Sequence, residues 1–226
     1  MARRTKAEAQ ATRSLILDTA ELIFDRHGVS GTSLHDIAQA AGLTRGAIYW
    51  HFKDKADVFN AMMARATLPL EEAGGVCGFE RADITLSQMR DGFVEVLRRV
   101  TTDPQLQRVF GVATLKVEYV AELSAVRERH LAVRDACLDD VERTLRAARR
   151  RGELNRRLPA RTAAIGLHAL FDGLLRNWML TPGGGFDLVR TGAQLIDAYL
   201  DSLRAPAPAR APARARKAAR QGAGRP

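Results

Sequence analysis

Cysteine is nearly missing from this chain. Cys77 and Cys137 are the only two in 226 residues, far apart and without C-x-x-C spacing. That excludes a disulfide scaffold and a cysteine-rich zinc site, and it suits a reducing cytoplasm. Aromatic residues make up only 6%, and β-branched runs are rare, while Ala and Arg abound. Ala, Leu and Arg lose little freedom in a helix, so the balance favours helices over sheets. Long apolar runs are also missing. The longest, Ala163 to Leu175, contains Asp172 and is too short to cross a bilayer. The basic start, Met1 to Lys6, leads into no apolar segment, so no secretory signal and no membrane partner are expected, and the chain is expected to be cytoplasmic. Catalytic signatures are missing too. His27, His35, His51, His130 and His168 are scattered, without H-E-x-x-H spacing. There is no Walker loop, no G-x-S-x-G elbow and no G-x-G-x-x-G after a strand. Gly183 to Gly185 follows a helical stretch and reads as a turn. No catalytic residue, metal or cofactor is expected, and the chain is not expected to be an enzyme.

What is present in excess is positive charge, +9 overall, and it is unevenly placed. Arg204 to Pro226 holds seven basic residues and no acidic one. Residues 1–55 carry a surplus of two, and residues 56–203 are balanced. The high pI therefore belongs to a tail and is weak evidence about the body. The tail, RAPAPARAPARARKAARQGAGRP, cannot bury a core and is expected to be disordered, either as a solubilising extension or as a nonspecific phosphate-binding arm. A second cluster, Arg149 to Arg151 with Arg156 and Arg157, reads as a solvated helix end.

The periodicity predicts an all-α protein. Residues 8–27 form a helix whose stripe is Ile16, Ala20, Ile23 and Phe24, ended by Gly28 as a left-handed cap. Thr32 and Ser33 start the next, with Asp36 closing a capping box on Ser33. Leu34, Ile37, Ala38 and Ala41 give it one apolar face, and Gly42 stops it. Thr44 caps a third helix that buries Leu43 and Ile48 and closes at Phe52. Asp54, with Asp57, caps a fourth helix through Val58, Phe59, Met62 and Met63 to about Leu68. After Gly74-Gly75, longer helices are predicted near 84–101, 104–121, 124–151, 160–180 and 187–203, parted by Pro104, Pro159 and Pro182.

The informative stretch is Ser33 to Phe52: two short helices joined by a tight turn at Gly42. This is the helix-turn-helix pattern, whose second helix enters a major groove. If Ile37, Leu43, Ile48 and Phe52 form a seam, Thr44, Arg45, Gly46 and Tyr49 face outward. Arg45 can meet guanine O6 and N7 with two hydrogen bonds, Thr44 can offer a hydroxyl or methyl, and Gly46 lets the backbone approach the bases. Tyr49, His51 and Lys53 suit phosphate oxygens, and Lys55 adds a cation facing the backbone. Arg3, Arg4 and Lys6 form a short arm for the minor groove or phosphates. An ordinary helical hairpin is the alternative.

The run TRGAIYWHFKDK, within a stretch from ATRSLILDTAELIFDRHGVSGTSL to ADVF, closely resembles the DNA-binding domain of the tetracycline-repressor (TetR) family. The opening MARRTKAEAQATR, with KVEYVAEL, RRGEL and FDGLLRNWML, resembles its multidrug-efflux branch, the AcrR/TtgR-type repressors. The likeness spans residues 1–203 and weakens after 70. It implies a three-helix head, residues 1–55, with Ser33 to Phe52 as the reading motif. Helix four, 54–70, would connect it to a ligand-binding and dimerisation domain, 56–203, followed by the tail, 204–226. It further implies a homodimer formed by the last two long helices, a palindromic double-stranded operator, and release by a hydrophobic small molecule that swings helix four. Met89, Phe93, Val96, Phe110, Thr114, Phe171 and Asp172 fall where such relatives line a pocket. Plain helical core is the competing reading, and for Asp172 a pair with Arg176. Leu188, Leu195, Ile196, Tyr199, Leu203 and Trp178 are assigned to the subunit interface, with core as the alternative. The expected function is a ligand-responsive repressor of a multidrug efflux operon, hence of antibiotic resistance. Control of lipid or catabolic genes, a ligand-binding protein that no longer reads DNA, and a nonspecific nucleic-acid binder acting through the Arg-rich tail are the alternatives.

Overall fold

A computed structural model describes residues 5–72, 84–181, 183 and 185–205. Arg3, Arg4, Gly74, Gly75, Cys77, Pro182 and the tail beyond Ala205 lie outside the described residues. The described chain folds into helices α1 (Lys6–His27), α2 (Leu34–Ala40), α3 (Arg45–His51), α4 (Lys55–Glu72), α5 (Leu86–Thr102), α6 (Pro104–Leu115), α7 (Ser124–Arg150), α8 (Ala160–Leu180) and α9 (Leu188–Ser202), with a 3-10 turn at Ala121–Leu123. Among the described residues there is no strand, only an isolated bridge between Leu154 and Arg204.

The helix starts follow from side-chain caps. Ser33 accepts from the Asp36 N–H at 3.2 Å while the Asp36 carboxylate accepts from the Ser33 N–H at 2.8 Å, the predicted capping box. The Ser33 hydroxyl, donating to the same carboxylate at 2.7 Å, and then the Ser33 N–H hold the Asp36 carboxyl below its ordinary value. Thr85 with Gln88 and Thr5 with Glu8 repeat the device on α5 and α1. Asp103 caps α6 just before Pro104, which needs no N–H at that position. Two expectations change. Gly28 has φ 75° but an extended ψ of 163°, not a left-handed cap, because Val29 leaves α1 to bond the Lys116 carbonyl at 3.0 Å. The predicted helix 104–121 ends at Leu115, where Lys116 turns the chain toward Val29.

The head has no core of its own. Ile16, Phe24, Ile37, Ile48 and Phe52 pack in one cluster with Val58, Phe59 and Met62 of α4, Val109 and Val112 of α6, Leu123, and Val126 of α7. Three helices, two of them only 7 residues long, cannot enclose a sufficient core, so the connector and the regulatory helices complete it. The second cluster joins α5, α7, α8 and α9 around Phe93, Leu97, Leu145, Leu167 and Ile196. Gly192 of α9 lets that layer close, since a Cβ there would lie 2.3 Å from Leu97 Cδ1.

Across the boundary sits one buried carboxylate. Glu21 on α1 is 2% exposed. It accepts from the Arg65 guanidinium on α4 and from Gln105 Nε2 on α6 at 2.9 Å, with Arg108 at 3.9 Å. Removing such a carboxylate leaves its partners desolvated and unpaired. Glu21→Ala is expected to lower the unfolding free energy by about 3 kcal/mol, read from urea titrations by circular dichroism. A loss within about 0.5 kcal/mol, the range of an ordinary surface change, would contradict this role.

Candidate nucleic-acid interface and effector cavity

α2 ends in a turn set by Gly42. At φ 66° it lets its own N–H bond the Gln39 carbonyl at 3.1 Å and the Leu43 N–H bond Ala38 at 2.8 Å. The chain then re-enters α3 through Thr44, whose hydroxyl accepts from the Ala47 N–H at 3.2 Å. Ile48 and Phe52 are buried and Leu43 is half-buried, so one face of α3 is sealed against the head core.

The opposite edge is open. Thr44, Arg45, Gly46 and Tyr49 are all exposed, and a Cβ built on Gly46 would meet no atom within 4 Å. The Arg45 guanidinium lies over the Tyr49 ring at 5.6 Å, a cation–π contact that restrains its rotamers before any ligand arrives. Lys53 and Ser33 are exposed beside this edge, although the Ser33 hydroxyl is held by Asp36. His51 is half-buried, edge-on to Trp50 with centroids 4.5 Å apart.

Lys55 departs from expectation. Its side chain is 14% exposed, and its ammonium donates to the Ser30 carbonyl at 3.0 Å and pairs with Glu122 at 2.6 Å. It does not project toward a duplex; it ties the head to the turn before α7. Trp50 was missed by sequence reasoning. At 71% exposed it is the most exposed large apolar side chain on the head and continues the edge. Its signal was an aromatic off the Ile48–Phe52 seam. Lys6, from the predicted arm, is exposed at the start of α1.

A cavity of about 630 Å³ opens where α4, α5, α6, α7 and α8 meet. Phe93, Val96, Phe110, Thr114, Phe171 and Asp172, six of the seven residues singled out, line it. Phe93 and Phe171 stack edge-to-face with centroids 5.0 Å apart. Met89 does not line it; one turn from Phe93, it points into the core between α5 and its neighbours. The polar wall is Tyr119, His130, His168 and Asp172 with Arg134 and Arg176. Burial holds His168 below its ordinary value of 6.5, partly opposed by the Asp172 charge. Burial, and then the same charge, raise the Tyr119 phenol. The alternative pair between Asp172 and Arg176 does not form among the described residues. Met63 and Thr67 of α4 also line the cavity, so its wall includes the connector helix.

The expected interface stripe divides. Leu188, Ile196, Leu203 and Trp178 are core of the protomer, and half-buried Tyr199 donates its hydroxyl to the Ala163 carbonyl at 2.9 Å. Only Leu195 faces outward, because α8 and α5 cover the rest of α9. The exposed large apolar residues on α8 and α9 are Ile165, Leu180 and Leu195.

Comparison with known proteins places this geometry among relatives. Residues 16–62 match the family described as bacterial regulatory proteins, tetR family, and residues 85–205 match the MAATS-type transcriptional repressor, C-terminal region. The repressor BepR of Brucella suis biovar 1 is 41% identical over 206 residues, which cover 91% of this chain and 98% of that protein. The regulator TtgR of Pseudomonas putida is 37% identical, over 90% of this chain and 97% of its own. Among solved structures, NalD, described as the secondary repressor of the MexAB-OprM multidrug efflux pump in Pseudomonas aeruginosa, is 32% identical with a TM-score of 0.79, covering 88% of this chain and 98% of that one. A complex of SmeT with triclosan is 33% identical with a TM-score of 0.75, covering 90% and 98%.

Three substitutions test the edge and its limit. Arg45→Ala is expected to cost about 1–3 kcal/mol of affinity for a duplex selected from a random pool and to relax preference at one base pair. Lys53→Ala is expected to reduce the slope of log affinity against log salt by about one, whereas Lys55→Ala leaves that slope unchanged and lowers the melting temperature instead. Equal slopes for the two lysine variants would contradict the assignment.

Proposed function

The chain belongs to the tetR family of bacterial regulatory proteins, and from that premise we propose that it is a ligand-responsive repressor of a multidrug efflux operon, binding a palindromic operator as a homodimer. The observation that carries the reading is the open Thr44–Tyr49 edge of a helix whose other face is sealed. A helix held on one side and bare on the other is what insertion into a major groove requires. The efflux target rests on the stated role of NalD and on similarity along nearly the whole chain.

Relief of repression follows from the position of α4. A hydrophobic effector in the cavity presses on Met63 and Thr67. The same helix carries Lys55, bound to Ser30 of the head, and Arg65, bound to Glu21 of α1. Displacing α4 therefore displaces the head through two polar links and a shared apolar core. In a dimer the two edges must keep one spacing to meet successive major grooves, so a small shift of each head weakens both contacts together. The exposed Ile165, Leu180 and Leu195 on α8 and α9 support that pair of helices as the dimer face.

Thr114→Trp fills the cavity and is expected to leave operator affinity within about threefold of wild type (~0.6 kcal/mol). It is also expected to abolish release by triclosan, the compound bound to the SmeT relative, in fluorescence anisotropy. Retained release would move the effector site elsewhere. Ile165→Glu with Leu195→Glu is expected to convert the dimer to a monomer by analytical ultracentrifugation. A chain whose selection from random duplexes enriches no sequence would overturn the proposal.

A further inference from the structure

Asp172 and Arg176 stand one turn apart on α8, acid first, the order in which opposite charges pair along a helix. They do not pair. Among the described residues neither has an ion-pair partner, and both are exposed while lining the cavity. The other guanidinium in the wall, Arg134, is already answered by Asp135 at 2.8 Å. The cavity is thus left with one unanswered carboxylate and one unanswered guanidinium. The field of the carboxylate reaches inward: the Asp172 charge opposes the lowering of His168 and adds to the raising of the Tyr119 phenol.

Beside these charges lies an apolar and aromatic surface. Phe171 precedes Asp172 and meets Phe93 edge-to-face at 5.0 Å, and Leu175 precedes Arg176 in the wall. The space of about 630 Å³ is that of a drug-sized ligand. Four residues of helix advance about 6 Å, which sets the scale on which a ligand would have to present its own charges.

We propose that the effector is an amphoteric aromatic molecule, its ammonium group held by Asp172 and its carboxylate by Arg176. This rests on the reading of the cavity as the effector site and adds the class of molecule that enters it. A ligand that is only a cation meets Asp172 and faces Arg176 with a like charge. A ligand that is only an anion does the reverse. An uncharged ligand leaves both groups to water. A zwitterion answers both, brings no net charge into the cavity, and gives Arg176 a carboxylate for its paired planar donors. Exposed pairs of this spacing on a helix are weak, so self-pairing of Asp172 with Arg176 is readily displaced. The two residues follow Ile165 by seven and eleven positions, so on α8 they border the exposed apolar stripe as well as the cavity. A second subunit is therefore the rival claimant of these charges, and the test measures it.

The full chain is titrated calorimetrically with four probes built on one biphenyl body, at about pH 7.5, above the range in which His168 takes a proton. The first probe carries a carboxylate and a para aminomethyl group on one ring. The second is its methyl ester, a cation; the third is its N-acetyl acid, an anion; the fourth is blocked at both groups. The zwitterion is expected to bind about tenfold tighter than either singly charged probe. Asp172→Asn is expected to bring it down to the level of the N-acetyl acid, and Arg176→Gln to that of the ester. Exchanging the charges, Asp172→Arg with Arg176→Asp, is expected to restore most of the preference with the probe reversed, which a merely structural role of either residue would not allow. A singly charged probe that binds wild type as tightly as the zwitterion, or binding of triclosan alone, would overturn the proposal and leave the effector reading intact. Failure of all four probes and of triclosan to bind would overturn both. Dissociation of the dimer by Asp172→Asn or Arg176→Gln, seen in ultracentrifugation, would assign these charges to the second subunit and overturn the proposal as well.

Discussion

The arrangement of this protein turns on the Glu21 carboxylate. It is withdrawn from water on α1 and answered by groups from α4 and α6. A carboxylate in that position is costly unless every oxygen is met, so it tolerates few placements of its partners. Apolar packing between the head and the rest is less directional by comparison, because Val109, Val112 and Met62 carry no polar side-chain group whose geometry must be met. The polar cluster therefore supplies angular definition to a junction whose affinity is hydrophobic. Lys55, reaching Ser30 and Glu122, adds a second such constraint near the other end of the same junction.

On the proposed mechanism, two polar anchors on one connector would carry a change in the cavity to the distant edge. Met63 and Thr67 form part of the cavity wall, and Arg65 lies between them on the same helix. Residues adjacent in a helix point to different sides, so α4 can touch an effector with one face and hold Glu21 with another. In the proposed release a shift of this helix would strain the hydrogen-bonded pairs at its head side, which have few alternative geometries. A displacement would then be passed on as a whole rather than absorbed by side-chain repacking.

Much of this was legible in the sequence, and the reason is locality. The capping box of Ser33 and Asp36, the Gly42 turn, the Thr44 cap and the Ile48–Phe52 seam each depend on residues within five positions of one another. The open edge is their complement and was legible for the same reason. Lys55 was misplaced because its fate depends on Ser30 and Glu122, 25 residues back and 67 ahead, and no local pattern announces such partners. Met89 and Phe93 share an apolar stripe on α5, and only the neighbouring helices decide which of them meets a void. Likewise α9 shows an apolar face without showing whether α5, α8 or a second subunit covers it. Glu21 was invisible as a hub because a single acid on a helix normally faces water.

The distribution of charge follows from the same separation of tasks. Residues 56–203 are electrically balanced as a whole, yet the balance is not uniform, since Arg146 to Arg157 gathers at one end of α7 while acids such as Glu122 and Asp172 lie toward the other. A uniform surplus would repel the subunits of a dimer and draw the body onto DNA in arbitrary orientations. The cavity, by contrast, mixes Arg134 and Arg176 with Asp172 in its wall. Beyond about 10 Å, salt screens the exposed charges of one pole from those of the other. The two ends of α7, about 40 Å apart, are thus electrostatically independent of each other.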